Sequence, residues 1–260
     1  MRLDSALVAR GLVDSRTKAQ RRIRAGDVLV EGSAVTKPAS EVSDDAAVTV
    51  MGSPDYVGRG ALKLLAALDA WGINPTGKVA LDIGASTGGF TQVLVERGAS
   101  RVVAVDVGHG QLHPDIRDDP RVDSREGLNV RELTSSWWDQ EIGARPELIT
   151  CDVSFISLTH IIPVVVAAVG ACEWVALIKP QFEVGKGGVK DGIVQRPELR
   201  EEAIRSVLEC AADAGLGIGG LKGSPITGEL GNTEYLCWLS PTHGRNPPQW
   251  SERIHELAHS

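Results

Sequence analysis

The chain has 260 residues, 42% of them hydrophobic but only 4% aromatic, and a formal charge of −7 at pH 7. That length suits one medium domain plus a small one, with a core built from Val, Leu, Ile and Ala. The acidic balance excludes a chain that is basic throughout. Residues 1–50 nevertheless hold eight Lys/Arg against seven Asp/Glu, so any attraction for nucleic acid concentrates there. The cysteines at 151, 172, 210 and 237 form no C-x-x-C pair. This argues against a zinc ribbon or dithiol motif and for free thiols in a reducing compartment. The opening MRLDSALVARGL lacks the apolar run of a signal peptide. The most apolar stretch, 161–172, is interrupted by Pro163 and is too short to cross a bilayer. A soluble, cytoplasmic, monomeric protein with no membrane partner is expected.

In chain order, a helix is predicted from Asp4 to about Arg10, stopped by Gly11. A second helix, RTKAQRRIRA, lies between an N-cap at Ser15 and a stop at Gly26. Ala19 and Ile23, four apart, face a core, while Arg16, Lys18, Arg21, Arg22 and Arg24 occupy the other faces. VLVEGSAV then reads as two short strands around a Glu31-Gly32-Ser33 turn. Residues 1–50 form a small αβ unit, and MGSPDYVGRG (51–60) reads as a linker. The remainder, 61–260, is a larger domain. Apolar strands are predicted at 79–83, 101–106, 121–124, 147–152 and 173–178, separated by helices that include 157–170 and 197–214. Alternation of this kind predicts an α/β fold with a parallel sheet covered on both faces. The segments 216–224 and 234–239 predict a closing hairpin that adds an antiparallel last strand.

The segment LDIGASTGGFT (81–91) follows the first strand of this sheet and precedes a helix, where ligands bind in doubly wound folds. Its spacing, G-x-x-x-G-G, is neither a P-loop nor G-x-G-x-x-G. Asp82 before the turn would repel a pyrophosphate but suit the cationic amino-acid end of S-adenosylmethionine. Asp106, closing the next strand, is placed to accept hydrogen bonds from ribose hydroxyls, and Asn129 to lie near an adenine. The expected cofactor contacts are therefore Asp82, the loop residues Gly84, Ala85, Ser86, Thr87, Gly88, Gly89 and Phe90, then Asp106, Val107 and Asn129.

Four further polar residues carry the chemistry. Lys63 lies on a helix before the sheet, Asp152 and Lys179 end strands, and Glu234 begins the last one. Lysines and acids gathered at one rim can deprotonate a weakly acidic hydroxyl. His109 and His113 are four apart, but no further ligands accompany them and no metal is expected. Ser154 lacks a nucleophile-elbow pattern.

The motifs together resemble the TlyA family of ribosomal RNA 2′-O-methyltransferases, some of whose members are labelled haemolysins. The front segment resembles an S4 RNA-binding domain through RLD at 2–4, Gly11, Ser15-Arg16, Ala19, Ile23, Gly26, Val28-x-Val30, Gly32 and Lys37-Pro38. The rest resembles an FtsJ/RrmJ-type methyltransferase through YVGRGALKL, DIGASTGGFT, DVGHGQL, DVSFISL, LIKPQFEVGKGGV and GNTEYL. The resemblance implies a Rossmann-like methyltransferase sheet and S-adenosylmethionine as cofactor. It implies a Lys-Asp-Lys-Glu tetrad at Lys63, Asp152, Lys179 and Glu234, with Lys179 as base, and a cytidine ribose of ribosomal RNA as acceptor. Arg2, Arg16, Lys18, Arg22 and Lys37 are the expected phosphate contacts, and Arg59 is expected either to reach RNA or to tie the two domains together. Gly58 stands where the family usually has Ser, and the loop after Phe182 is short. Two other classes compete: a membrane-damaging haemolysin and a non-catalytic S4-type RNA-binding factor. The lack of a membrane-length segment speaks against the first, and the intact tetrad and cofactor loop against the second.

Overall fold

In a computed structural model, all residues are described except Asp14, Asp44, 51–55 and Glu229, and the side chains of Arg21, Ala25 and Lys186. Half of the expected linker thus lies outside the described residues. The chain divides into two compact units, Met1–Tyr56 and Val57–Ser260.

The first unit begins with α1 (Leu3–Ala9) and α2 (Arg16–Ala25). Ser15 caps α2 by accepting the Lys18 amide at 3.3 Å, and Gly26 ends it in the left-handed conformation. Strands β1 (Val28–Val30) and β2 (Ser33–Ala34) form the expected hairpin. A third strand, β3 (Val48–Val50), pairs antiparallel with the other edge of β1. It was not predicted, because only three alternating residues carry its signal. Leu3, Leu7, Ala19, Ile23 and Val28 form a core.

The second unit opens with α3 (Ala61–Trp71). Then follow β4 (Val79–Ile83), α4 (Gly89–Glu96), β5 (Arg101–Asp106), α5 (Pro114–Arg117), β6 (Val122–Glu126), α6 (Ser135–Glu141) and β7 (Leu148–Cys151). The chain continues through α7 (Ile162–Val169), β8 (Glu173–Ile178), α8 (Pro180–Glu183), α9 (Pro197–Asp213), β9 (Gly217–Gly223), β10 (Tyr235–Ser240) and α10 (Ser251–His259). The seven strands lie in the order β6-β5-β4-β7-β8-β10-β9. β4 to β8 run parallel, and β10 inserts antiparallel between β8 and β9. The strands of the centre are buried on both faces, which explains their continuous apolar sequences. Sequence order reverses direction across the sheet at β4, whose carboxyl end therefore opens the ligand crevice. None of the described helices is long and apolar enough to cross a membrane.

Candidate functional site

The glycine loop follows β4. Gly84 has φ 81°, and a Cβ there would lie 2.6 Å from the Asp152 carbonyl oxygen, so the close approach of the β4 and β7 ends requires glycine. Asp82 itself does not face the crevice. It is fully buried, and its two oxygens accept the hydroxyls of Thr91 at 2.6 Å and Thr150 at 2.8 Å. It thereby ties α4 and β7 to β4. Burial, opposed by those two hydroxyls, raises its carboxyl to about 6. The expected direct contact with a cationic cofactor group is not available to a carboxylate with no exposed surface; Asp82 shapes the loop from beneath. Asp82 belongs to β4, and its side chain is taken up by Thr91 of α4 and Thr150 of β7.

Asp106 stands at the end of β5, partly exposed. Its Oδ2 accepts the Ser86 amide and its Oδ1 the Gly108 amide, both at 2.8 Å. It thus pulls the glycine loop and the following turn together, and each oxygen retains a lone pair for a ribose hydroxyl. The neighbouring Val107 is 70% exposed. A carboxylate acceptor beside an open apolar side chain and a loop with exposed Ser86 and Thr87 is a donor set that fits a nucleoside cofactor. Ala85, Gly88, Gly89 and Phe90 are buried and form the wall behind it. Glu126 braces the next turn by accepting the amides of Gly110, Gln111 and Leu112, and these hold its carboxyl below the ordinary range. Asn129 is engaged locally. It accepts the Arg131 amide and donates to Glu132, so the structure gives it a capping task.

The four polar residues resolve into two ion pairs. Lys63 Nζ lies 2.6 Å from Glu234 Oε2, with both side chains less than a tenth exposed. Lys179 Nζ lies 2.6 Å from Asp152 Oδ1 and donates to Ser154 Oγ at 3.0 Å. Because β10 runs antiparallel and Tyr235 sits opposite Ile178, Glu234 at its start reaches the same rim as Lys179 at the end of β8. Asp152 directly follows the neighbouring β7. Lys63 arrives from α3, whose N-cap, Gly60, would place a Cβ 3.5 Å from Asp152 Oδ2. All four thus stand at the rim that carries the glycine loop. Space for Glu234 depends on Gly228, where a Cβ would lie 2.6 Å from Glu234 Oε1.

Three residues escaped the sequence reading. Phe155, three residues after Asp152, is 91% exposed and has φ 66°, a costly conformation for an aromatic residue. Its ring centroid lies 5.0 Å from that of Phe182. Phe155, exposed and backed by the partly buried Phe182, offers a stacking surface near the ion pairs. Glu183 accepts the Ser157 hydroxyl at 2.5 Å and the Leu158 amide at 3.0 Å, and burial raises its carboxyl. It fastens the Asp152 loop to α8, just beyond Lys179. The available signal was the spacing within DVSFIS and KPQFE, where a second residue pair repeats the proximity of Asp152 and Lys179.

Of the expected phosphate contacts, Arg2, Arg16 and Lys37 are exposed and Lys18 is partly so. Arg2 and Arg16 also bind Asp4, whose buried carboxylate accepts Arg2, Arg16 and Gln20 at 2.9–3.1 Å and is held far below its usual range, chiefly by Arg2. Arg22 is only 12% exposed and pairs with Asp27, so it serves the fold of its own unit. Arg59 is exposed on the turn before α3. All four cysteines are free thiols, and burial pushes Cys172 and Cys237 up to about 12. Burial thus disfavours the thiolate in all four.

Residues 56–240 match the FtsJ-like methyltransferase model, and residues 1–48 match the S4 domain model. The chain is 46% identical over 242 residues to the 16S/23S rRNA (cytidine-2′-O)-methyltransferase TlyA of Mycobacterium tuberculosis, covering 92% of this chain and 89% of that one. It is 42% identical to Hemolysin A of Brachyspira hyodysenteriae, over 91% of this chain and 98% of the other. A solved structure described as "Putative hemolysin from Streptococcus thermophilus" superposes with a TM-score of 0.74 at 35% identity, covering 100% of this chain and 94% of that one. With the glycine loop, the two ion pairs and the antiparallel strand in place, the chain belongs to the FtsJ-like methyltransferase family, in the S4-bearing TlyA group.

Proposed function

We propose that this protein transfers a methyl group from S-adenosylmethionine to the ribose 2′-hydroxyl of a cytidine in ribosomal RNA, working in the cytoplasm on ribosomal subunits. The observation that carries this reading is the gathering of Lys63–Glu234 and Lys179–Asp152 at the rim that also carries the glycine loop. The relatives of this chain include one named for cytidine-2′-O methylation of 16S and 23S rRNA.

S-adenosylmethionine, when bound, supplies a methyl group on a sulfonium, already activated for in-line attack. Asp106 would hold its ribose, the exposed Val107 would cover its adenine, and the loop 84–89 would pass beneath it. The chain's remaining task is to present the acceptor oxygen and take its proton. Lys179 Nζ would be the base, as the family resemblance implies, with its neighbours Asp152 and Ser154 fixing its direction. Lys63 and Glu234, closed on one another, orient the ribose from the other side. A base turned out of its stack would rest on Phe155, since stacking on an aromatic ring is tolerant of sequence. Catalysis is then positioning plus removal of one proton.

The S4-like unit would recruit RNA through Arg2, Arg16, Lys18 and Lys37, because a single ribose carries little sequence information and phosphate contacts fix register. The test is methyl transfer in vitro onto each purified ribosomal subunit, followed by mapping of the product. Label on a cytidine ribose, lost in Lys179→Ala, is expected. Label only on a base atom would refute the mechanism. A failure to bind S-adenosylmethionine by calorimetry would leave an RNA-binding factor, and lysis of cells by purified Lys179→Ala protein would favour the haemolysin reading.

A further inference from the structure

His255 and His259 stand one turn apart on α10, so they share a face of that helix. Their ring centroids are 4.0 Å apart. His255 Nδ1 lies 3.1 Å from Glu201 Oε2 on α9, and His259 Nδ1 lies 2.9 Å from the His255 carbonyl oxygen. A carboxylate and a carbonyl can only accept, so both Nδ1 atoms carry hydrogen. In the neutral imidazole the lone pair of each ring then resides on Nε2. Histidines that bind metals are held in this way, with the non-ligating N–H donated to a carboxylate or a backbone carbonyl. Glu201 is itself fixed, since Arg205 donates to its Oε1 at 2.8 and 3.2 Å. One ligand atom from each of Glu201, His255 and His259 lies within 4.8 Å of the others, and both histidines are exposed.

We propose that His255 and His259 form a binding site for a late first-row divalent cation such as zinc. The two Nε2 atoms are its ligands, water completes the coordination, and Glu201 orients His255. Imidazole nitrogen selects this class over magnesium or calcium. The bound ion would staple the last two turns of α10 and, through Glu201, fasten that helix to α9. The second histidine pair with the same spacing shows the contrast. His113 Nδ1 accepts the Asp115 amide at 3.2 Å, so its hydrogen-bonding nitrogen is an acceptor rather than a donor. His109 packs against Gly127, where a Cβ would meet its Nε2 at 2.4 Å. The proposal stands apart from the methyl-transfer reading and is tested without it.

The experiment is calorimetric titration of the untagged full chain with zinc chloride in a non-chelating buffer. One saturable site per chain is expected. Glu201→Gln should weaken it about tenfold, and the double variant His255→Ala/His259→Ala should lose it. Alanine is a good helix former at these exposed positions, so α10 is retained and circular dichroism verifies it. His109→Ala/His113→Ala should bind as the parent does. No saturable binding by the parent, or a site that survives in His255→Ala/His259→Ala, overturns the proposal.

Discussion

Among the described residues, each of the two units buries one aspartate completely, and the two are treated oppositely. Asp4 in the small unit is met by two guanidiniums and an amide, and its carboxyl is held far down. Asp82 in the large unit is met by two hydroxyls among apolar strands, and its carboxyl is raised to about 6. The small unit has few apolar residues to bury, so a charged hub assists the packing of α1 on α2. The large unit has an extensive core and tolerates a carboxylate whose ionised form is disfavoured. Arginines in the first unit therefore have two employments, the fold and the surface.

The sharpest challenge to this contrast is Lys179→Ala. If chemistry belongs to the large unit alone, methyl transfer should fall by about 10²–10⁴-fold while RNA affinity holds; an equal loss in RNA affinity would break the division. Next, Asp4→Ala should abolish the melting transition of the small unit in calorimetry and leave that of the large unit in place. A single unchanged transition would show that Asp4 is no hub. Glu183→Ala, by freeing the Asp152 loop, should lower kcat by about tenfold with S-adenosylmethionine affinity unchanged, and Glu183→Gln should recover most of it. A drop in thermal stability with intact kcat would make Glu183 merely structural.

Smaller effects sharpen the picture. Replacing exposed Arg16 and Lys37 with alanine should reduce the slope of log K against log salt by about 1 to 2, without changing kcat at saturating RNA. For Asp82, the folded carboxyl lies above its unfolded value, so its contribution to stability is full below about pH 4 and is lost as pH rises through about 6. Urea unfolding of the parent should thus lose about 3 kcal/mol over that window relative to Asp82→Asn; parallel pH profiles for the two would refute it.

Much of the frame was legible because periodicity and end signals act locally. Ser15 and Gly26 bracket α2, and the apolar runs that became β4, β5, β7 and β8 need no distant partner to be recognised. Lys63, Asp152, Lys179 and Glu234 were legible as types at strand ends and through resemblance. Their pairing was not, since Lys63 and Glu234 are 171 residues apart and meet only through the sheet register. Asp82 misled because its neighbours in sequence are the cofactor loop, while its neighbours in space are Thr91 and Thr150. Phe155 went unread because an aromatic residue is ordinarily taken as core, and only the fold shows its ring outside. The strand β3 was missed because it is completed by pairing with β1 and carries little local signal.

The reversed direction of β10 separates the two ends of one strand into different trades. Its entrance, with Glu234, belongs to the reaction rim, and its exit after Ser240 opens at the opposite end of the strands. A fluorophore or affinity handle placed in the turn following Ser240 would therefore report on the enzyme without touching its chemistry. The same handle placed a dozen residues earlier would act as an inhibitor built into the chain.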